Sequence, residues 1–444
     1  MNLFTLSWKN LANKPLSMAL SLVLFALGVG LISLLFLLNQ QLQDKFDKNL
    51  AGIDLVVGAK GSPLQLILSS MYHIDAPTGN ISIEEATPFL RPGHPLIKTA
   101  VPLSLGDSHK GYRIVGTTPD ILGLYEAKIG EGQIWKATME TTIGAVLAED
   151  LKLKVGDSFY SSHGFIRDDN LIHDDAGAFK VVGILKPTGS VIDQLILTNT
   201  QSIWAVHEHG EESHEGEESQ AADLQHEAGE EHDHEEVQPG EAVNEHGHDA
   251  PYPSDKPLLD YPEKDITSIL IQFKGRNFQA LNMQRGINEN TDMQAATPAI
   301  EINRLYALMG TGTKALRWLA IIIVVVSGLS IFISLYSSLR DRRYELALMR
   351  VMGASPARLF VLIIMEGLLL AVLGYVLGIA LSHGGMEILA EQMKESYRYT
   401  FSGWVFLKEE LYLLAGALGI GFVAAILPAI QASRTDISTT LAEG

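Results

Sequence analysis

Apolar positions in this chain gather into four runs, Pro15–Leu38, Leu316–Ser338, Leu359–Leu381 and Leu411–Leu427. One opens the chain and three crowd its last third, while residues 39–315 between the first and second are mostly polar. The first three reach the ~20 residues needed to cross a bilayer core, and the fourth is close. The pattern predicts membrane helices at 15–38, 316–338, 359–381 and 411–428. A cleaved signal peptide does not suit the first run, which is too long for an apolar leader core and lacks a small-x-small site after it. It reads instead as an uncleaved span leading through Asn39-Gln40-Gln41 into more helix.

Basic residues near the spans set the expected orientation. Lys9 and Lys14 precede the first run, Arg340, Arg342, Arg343, Arg350 and Arg358 fill residues 339–358, and Arg434 follows the fourth run. Positive charge marks the cytoplasmic side. Both termini (1–14 and 429–444) and the 339–358 loop are then cytoplasmic. The 39–315 insert and the 382–410 loop lie outside. The first residues, with Leu3, Phe4, Trp8 and Leu11, predict an amphipathic helix along the inner leaflet.

The insert reads in three parts. Residues 39–50, with Leu42, Phe46 and Leu50, and residues 298–315, with Ile300, Ile302, Leu305, Tyr306, Leu308 and Met309, show helical spacing. They predict outward extensions of the first two spans, a paired stalk. Residues 51–297 predict a mixed α/β domain, in two subdomains. Its strands are expected at Asp54–Val57, Tyr112–Thr117, Thr142–Leu147, Phe179–Leu185, Gln194–Leu197 and Ser268–Phe273. Its helices are expected at Ile83–Leu90, Pro119–Leu124 and Asn277–Asn290. The fold class is thus an α-helical membrane domain of four transmembrane helices, one plus three, with a large mixed α/β extracytoplasmic domain inserted between helices 1 and 2 on a helical stalk.

Charge alters this picture in one place. The formal charge is −19, but sixteen acidic residues and no Lys or Arg lie between Glu208 and Asp249. Nucleic acid is therefore excluded as a partner. The same stretch, 206–250, holds eight of the fourteen histidines: His207, His209, His214, His226, His232, His234, His246 and His248. Imidazoles among carboxylates suit Zn²⁺, and by affinity Cu²⁺ or Ni²⁺. With few large apolar residues the segment cannot build a core, which predicts disorder without metal. A plain solvated acidic loop is the other reading. A metalloprotease is excluded by spacing, because His226-Glu227 is followed by Ala-Gly-Glu. Cysteine is absent, so disulfides and thiolate sites are excluded.

Residues 338–358 read SLRDRRYELALMRVMGASPAR. A short helix is expected from Arg340 to Met352, ended by Gly353 in a left-handed conformation, with Ser355 and Pro356 opening the next helix. Such a clamped cytoplasmic helix suits docking of a soluble partner. Gly374 and Gly378 form a GxxxG in the third span, and Gly28, Gly30, Ala417, Gly421 and Ala425 offer further close-approach positions. Glu366 stands as an intramembrane acid, expected to snorkel towards Arg358 or bond within the bundle. Gly310–Lys314 and Gly58–Ser62 lack the spacing of a phosphate loop.

The Arg-x-Arg-x-Tyr-Glu-Leu-Ala-Leu-Met-Arg-Val-Met-Gly-Ala-Ser run resembles the coupling-helix signature of FtsX-like permeases, the MacB/LolC/LolE-type membrane subunits of ABC systems. Pro428, Ala432-Ser433-Arg434-x-Asp436 and Leu441 are similar to that family's terminal motif. Trp8-Lys9-Asn10-Leu11 with Lys14-Pro15 is similar to its first helix. The resemblance covers 1–50 and 300–444 well, and the insert more loosely through Val155-Gly156-Asp157 and Val182-Gly183-Ile184. It implies a dimer, homo- or heteromeric, whose coupling helices sit on a separate cytoplasmic ABC ATPase that binds ATP and Mg²⁺, so this chain is not itself an enzyme. It further implies that ATP-driven motion passes through the stalks to the outer domain, which meets an adaptor, carrier or metal-binding protein.

Carried over by position, Arg343, Glu345, Leu346, Leu348, Met349, Arg350 and Gly353 form the expected ATPase-contact set. The histidine-rich insertion and the absence of a following nucleotide-binding domain depart from parts of the family. A transmembrane regulator of a cell-wall hydrolase or sensor kinase shares all these membrane motifs and is the alternative, while a lone metal transporter lacks intramembrane ligands. Zn²⁺ titrated calorimetrically into the full-length protein, with and without residues 206–250, tests the histidines. Micromolar or tighter binding that is lost with the deletion is expected.

Overall fold

The computed structural model describes residues 3–12, 15–163, 178–207, 256–275, 278–397 and 401–434. In chain order these form α1 (Leu3–Ala12), α2 (Pro15–Leu50), β1 (Leu55–Ala59), α3 (Pro63–Met71), β2 (Ile81–Ser82), α4 (Ile83–Leu90), β3 (Ile97–His109), β4 (Tyr112–Thr117), α5 (Asp120–Leu124), β5 (Ile129–Gly132), β6 (Glu140–Ile143), α6 (Ala145–Leu151), β7 (Ser158–Phe159), β8 (Ser162–His163), β9 (Phe179–Leu185), β10 (Ile196–Asn199) and α7 (200–207). There follow β11 (Asp265–Ile266), β12 (Ser268–Phe273), α8 (Phe278–Asn290), β13 (Met293–Ala296), α9 (Pro298–Asp341), α10 (Arg343–Val351), α11 (Pro356–Tyr397) and α12 (Lys408–Ser433). Two compact units result, one of residues 1–44 with 305–444, the other of residues 45–304.

The second unit is built on one eleven-stranded sheet of order β13-β1-β12-β3-β4-β10-β6-β9-β5, with β7 added on β9 and β8 on β3. β10 runs parallel to β4 and β6 parallel to β9, and the other pairs are antiparallel. Two apolar cores lie along it. Leu55, Val57, Ile269 and Ile271 pack with Ile83 and Ala86 of α4, Ile287 of α8 and Trp204 of α7. Ile114, Ile196, Ile143, Val181 and Phe179 pack with Leu147 of α6 and Ile203 of α7. The two expected subdomains are therefore two cores sharing a continuous sheet.

Local chemistry explains where the chain follows its pattern and where it departs. β3 and β4 form a hairpin because Lys110 and Gly111 both accept positive φ, 46° and 77°, as a two-residue turn between right-twisted strands requires. β3 alternates over its middle, with Val101, Leu103 and Leu105 set between Pro102, Ser104 and Gly106, and breaks that pattern at Asp107 and Ser108. It absorbs them with a register shift between Leu105 and Ser108. The strand expected at Thr142–Leu147 ends at Ile143 and turns at Gly144 into α6. A side chain at Gly144 would lie 2.2 Å from the Asp193 backbone, so this turn needs the missing Cβ. α3 was unforeseen, although Ser62 caps it through Gln65 N at 3.4 Å and Pro63 opens it.

In the first unit α2, α9, α11 and α12 are each long and apolar enough to cross a membrane. α11 continues to Tyr397, well into the loop expected at 382–410. Met386 and Ala390 explain this, because they pack with Leu37 and Phe401 and give that stretch an apolar face of its own. Small residues set the helix contacts. A Cβ on Gly378 would lie 2.8 Å from Ala26 O, and one on Gly374 would lie 2.6 Å from Phe25 Cδ1, so α11 approaches α2 at backbone range. Gly367 and Gly421 do the same between α11 and α12, each 2.8 Å from the other's carbonyl oxygen in that construction. Hydroxyl pairs join α2 to α9, Ser21 with Ser330 at 2.9 Å and Ser17 with Ser334 at 3.0 Å.

One half-buried histidine makes the second unit sensitive to acid. Arg113 of β4 donates through Nε to His73 O at 3.0 Å and through Nη2 to Asp75 O, pinning the segment after α3. His73 is half-buried with its Nδ1 shielded from water, and desolvation, reinforced by the Arg113 charge, lowers its pKa to about 3. Burial lowers Arg113 to about 10, which leaves it charged. Because the folded His73 value lies below the unfolded 6.5, its neutral form favours folding. That contribution is complete above pH 6.5 and is lost as pH falls towards 3, by about 1.4 kcal/mol per pH unit. His73 has φ +52°, a conformation Asn tolerates. Denaturant unfolding of wild type and His73→Asn should therefore show a shallower loss of stability below pH 6.5 in the variant.

Candidate functional site: a short helix anchored to a buried carboxylate

The turn between α9 and α11 carries the chemistry that the sequence singled out. α9 stops at Asp341 because Arg342 leaves helical geometry, with φ −109° and ψ 16°. α10 then runs from Arg343 to Val351 and ends at Gly353, whose φ of +97° permits a left-handed cap. Gly353 N donates to Arg350 O at 3.0 Å and Ala354 N to Met349 O at 2.9 Å. Ser355 and Pro356 open α11, with Arg358 N donating to Ser355 Oγ at 3.4 Å. No residue of this connection is left to wander: one helix cap passes directly into the next.

The inner face of α10 is fixed by packing. Leu346 (1 % exposed) and Ala347 are buried, Leu346 in a cluster that includes Leu11 of α1, Leu339 of α9 and Leu359 and Leu362 of α11. Leu346 therefore does not belong with an outward contact set, and Met349 is half-buried against the same cluster. Arg343, Glu345, Leu348 and Gly353 are exposed and Arg350 half-exposed. Tyr344, Val351 and Met352 join them as exposed apolar side chains that the sequence reading passed over. Their one legible signal was the helical period, which puts them away from Leu346.

Beneath α10 lies a chain of polar contacts. Glu366 of α11 is buried, and its Oε1 accepts from Asn10 Nδ2 of α1 at 2.6 Å and meets Arg342 Nη1 at 3.5 Å. Arg342 Nε in turn donates to Glu345 Oε2 at 3.0 Å. Ser7 Oγ of α1 donates to Leu362 O at 3.5 Å. Arg358, the sequence-based partner of Glu366, is exposed; Arg342 holds that place because the helix break at 341–342 turns it inward. The arrangement joins α1, α10 and α11 through one carboxylate.

The remaining candidates sit elsewhere. His207 closes α7, its Nε2 3.8 Å from Asp107 Oδ1. The other seven histidines, at 209, 214, 226, 232, 234, 246 and 248, lie outside the described residues. Among the described residues no three His, Asp or Glu side chains converge as a metal site. Gly310–Lys314 is helical within α9, with Thr313 Oγ1 bonded to Gly310 O at 3.1 Å, so it forms no phosphate-binding loop.

The described residues thus combine a one-plus-three set of apolar helices, an α/β insert and a short helix held between the second and third of those helices. Residues 318–437 match the FtsX-like permease C-terminal family, and residues 18–224 match the MacB-like periplasmic core domain. The two matches together take in most of the chain, and they liken its last third to the FtsX-like permeases and its first half to the MacB-like core domain. The chain is also similar to the ABC transporter permease YtrF of Bacillus subtilis (strain 168), 26 % identical over 211 residues that cover 41 % of this chain and 47 % of that protein. The chain thus spans about half the length of the curated relative it matches.

Loss of either buried partner should be costly in different ways. Glu366→Leu removes the acceptor of Asn10 and leaves Arg342 with Glu345 alone, with an expected loss of about 1–3 kcal/mol. The double variant Glu366→Leu, Arg342→Leu should recover part of it. Thermal unfolding of the detergent-solubilised chain, read as a double-mutant cycle, measures the coupling.

Proposed function

We propose that this chain is the permease subunit of an ABC transporter in which a separate cytoplasmic ATPase, holding ATP and Mg²⁺, drives motion of the extracytoplasmic domain. In this reading both termini and α10 face the cytoplasm, as the Lys and Arg positions favour. Two permease copies pair, and the helical extensions of α2 and α9 carry movement to the α/β domain. The observation that carries the reading is α10 itself. It is locked on one face by Leu346 and by Arg342, yet presents Tyr344, Leu348, Val351 and Met352 outward. An exposed apolar rim on a rigid mount suits a protein groove better than water.

Motion at such a mount would reach the bundle with little loss, because Leu346 of α10 packs in one cluster with Leu11 of α1 and Leu362 of α11, and Glu345 is tied through Arg342 to Glu366. The cargo class that fits the family is a lipoprotein or small molecule handed to an outer partner. Zn²⁺ collection by the histidine-rich segment would make the task zinc-linked.

The test begins with tagged protein purified from its native membrane and the ATPase that accompanies it. Leu348→Asp and Met352→Asp change exposed positions only. They should weaken association at least ~10-fold, as loss of an apolar anchor does, and lower the ATPase rate of the complex. Unchanged association and rate in both variants would overturn the proposal.

A further inference from the structure

Residues 401–407, between α11 and α12, are held with unusual firmness for a loop. Phe401 is buried against Leu37 of α2 and Met386 of α11. The Ser402 peptide is bracketed by the Gln41 amide of α2: Ser402 N donates to Gln41 Oε1 at 2.9 Å, and Gln41 Nε2 donates to Ser402 O at 2.8 Å. Gly403 N donates to Glu387 Oε2 at 2.7 Å, and Gly403 O accepts from His383 Nδ1. Gly403 presses so closely on α11 that a Cβ there would lie 2.3 Å from His383 O. Leu407 N donates to Glu410 Oε2 at 3.3 Å, while Glu410 Oε1 meets His383 Nε2 at 2.9 Å and accepts from Ser33 Oγ of α2 at 3.0 Å.

All these polar contacts lie on one side. The other side displays Trp404, Val405 and Phe406, with Trp404 78 % exposed and Phe406 70 % exposed. Phe406 rests one face of its ring on His383, centroids 4.6 Å apart, which fixes its direction. Water is a poor environment for such side chains, and the contacts that hold residues 401–403 and 407 leave both rings facing outward.

Depth along the spans says what covers them. The apolar run of α11 ends at Leu381 and that of α12 begins at Leu411. At 1.5 Å per residue such runs cross a hydrocarbon core roughly 30 Å thick, so residues 401–407 fall at its edge. Trp and Tyr concentrate at that level. The exposed apolar surface continues into Leu411 and Tyr412 at the start of α12, where a soluble partner would have to enter the bilayer to cover it.

We propose that residues 401–407 are a lipid-interface anchor: Trp404 and Phe406 insert at the boundary between headgroups and acyl chains, and the Ser402–Gln41 pair ties α2 to that boundary where the helix leaves the bilayer. Gln41 lies three residues beyond Leu38, the end of the apolar run of α2. The anchor therefore acts at the root of the helical extension and gives it a pivot. This holds whichever way the chain is oriented and does not depend on the transport reading.

The sequence contains no cysteine, so Val405→Cys supplies a single site for a nitroxide in the full chain, reconstituted into phosphatidylcholine–phosphatidylglycerol vesicles. Oxygen should collide with this label more often than a water-soluble nickel chelate does. A label at Lys98→Cys, an exposed position of β3, should show the reverse. Adding Trp404→Ser and Phe406→Ser should shift the 405 label towards the nickel chelate. As a check on the native side chains, brominated phosphatidylcholine should quench wild-type fluorescence more than that of Trp404→Phe. Nickel-dominated collisions at 405, or quenching equal in wild type and Trp404→Phe, would overturn the anchor and leave this face to a protein partner.

Discussion

The buried carboxyl group of Glu366 constrains how α1, the 341–342 break and α11 come together. A carboxyl group taken out of water is tolerated only when hydrogen-bonding partners surround it. Here they come from two other elements, Asn10 of α1 and Arg342 at the end of α9. Glu366 thereby ties α1 to α11, and the break after Asp341 brings Arg342 inward to complete the set. That break, in turn, sets the direction in which α10 leaves. The exposed face of α10 follows from a requirement buried well away from it.

A second polar cluster closes the other end of the bundle. Glu410 gathers Ser33 of α2 and His383 of α11, and Ser33 also meets Ser382 at 2.8 Å. Between these two clusters α2, α11 and α12 touch through Gly30, Gly378, Gly367 and Gly421, where backbones approach too closely for side chains to intervene. Polar ends and glycine waists together produce a stiff three-helix group. α9 differs: its most apolar stretch is 22 % buried, against 50 % for α11. The helix leading from the α/β insert back into the bundle is thus the one least committed to its neighbours.

Much of this was legible in the sequence because the governing signals are periodic or local. Apolar run lengths announced four spans, and Gly353-x-Ser355-Pro356 announced the cap-to-cap passage into α11. Capping also explains why α4 begins at Ile83, where Ser82 and Glu85 form a reciprocal box. The failures share a cause, namely tertiary partners. β3 alternates through Val101, Leu103 and Leu105, but Pro102 and the polar stretch 106–109 obscure it, and β12 and β4 on its two sides complete it. Leu346 reads like its exposed neighbour Leu348 until Leu11 and Leu362 are seen to cover it. Glu410 and His383 drew no notice because each lies outside the expected spans, and only the continuation of α11 beyond Leu381 brings them together.

Glu366, through Asn10 and Arg342, joins α1 and the start of α10 as a single mechanical block. Pulsed electron–electron distance measurement between nitroxides at Phe4→Cys and Arg343→Cys, both exposed positions in a cysteine-free chain, tests it most directly. One narrow distance distribution is expected, broadening when Glu366→Leu is added. An equally narrow distribution at the same distance in the Glu366→Leu background would contradict the claim, because packing alone would then hold the two helices together.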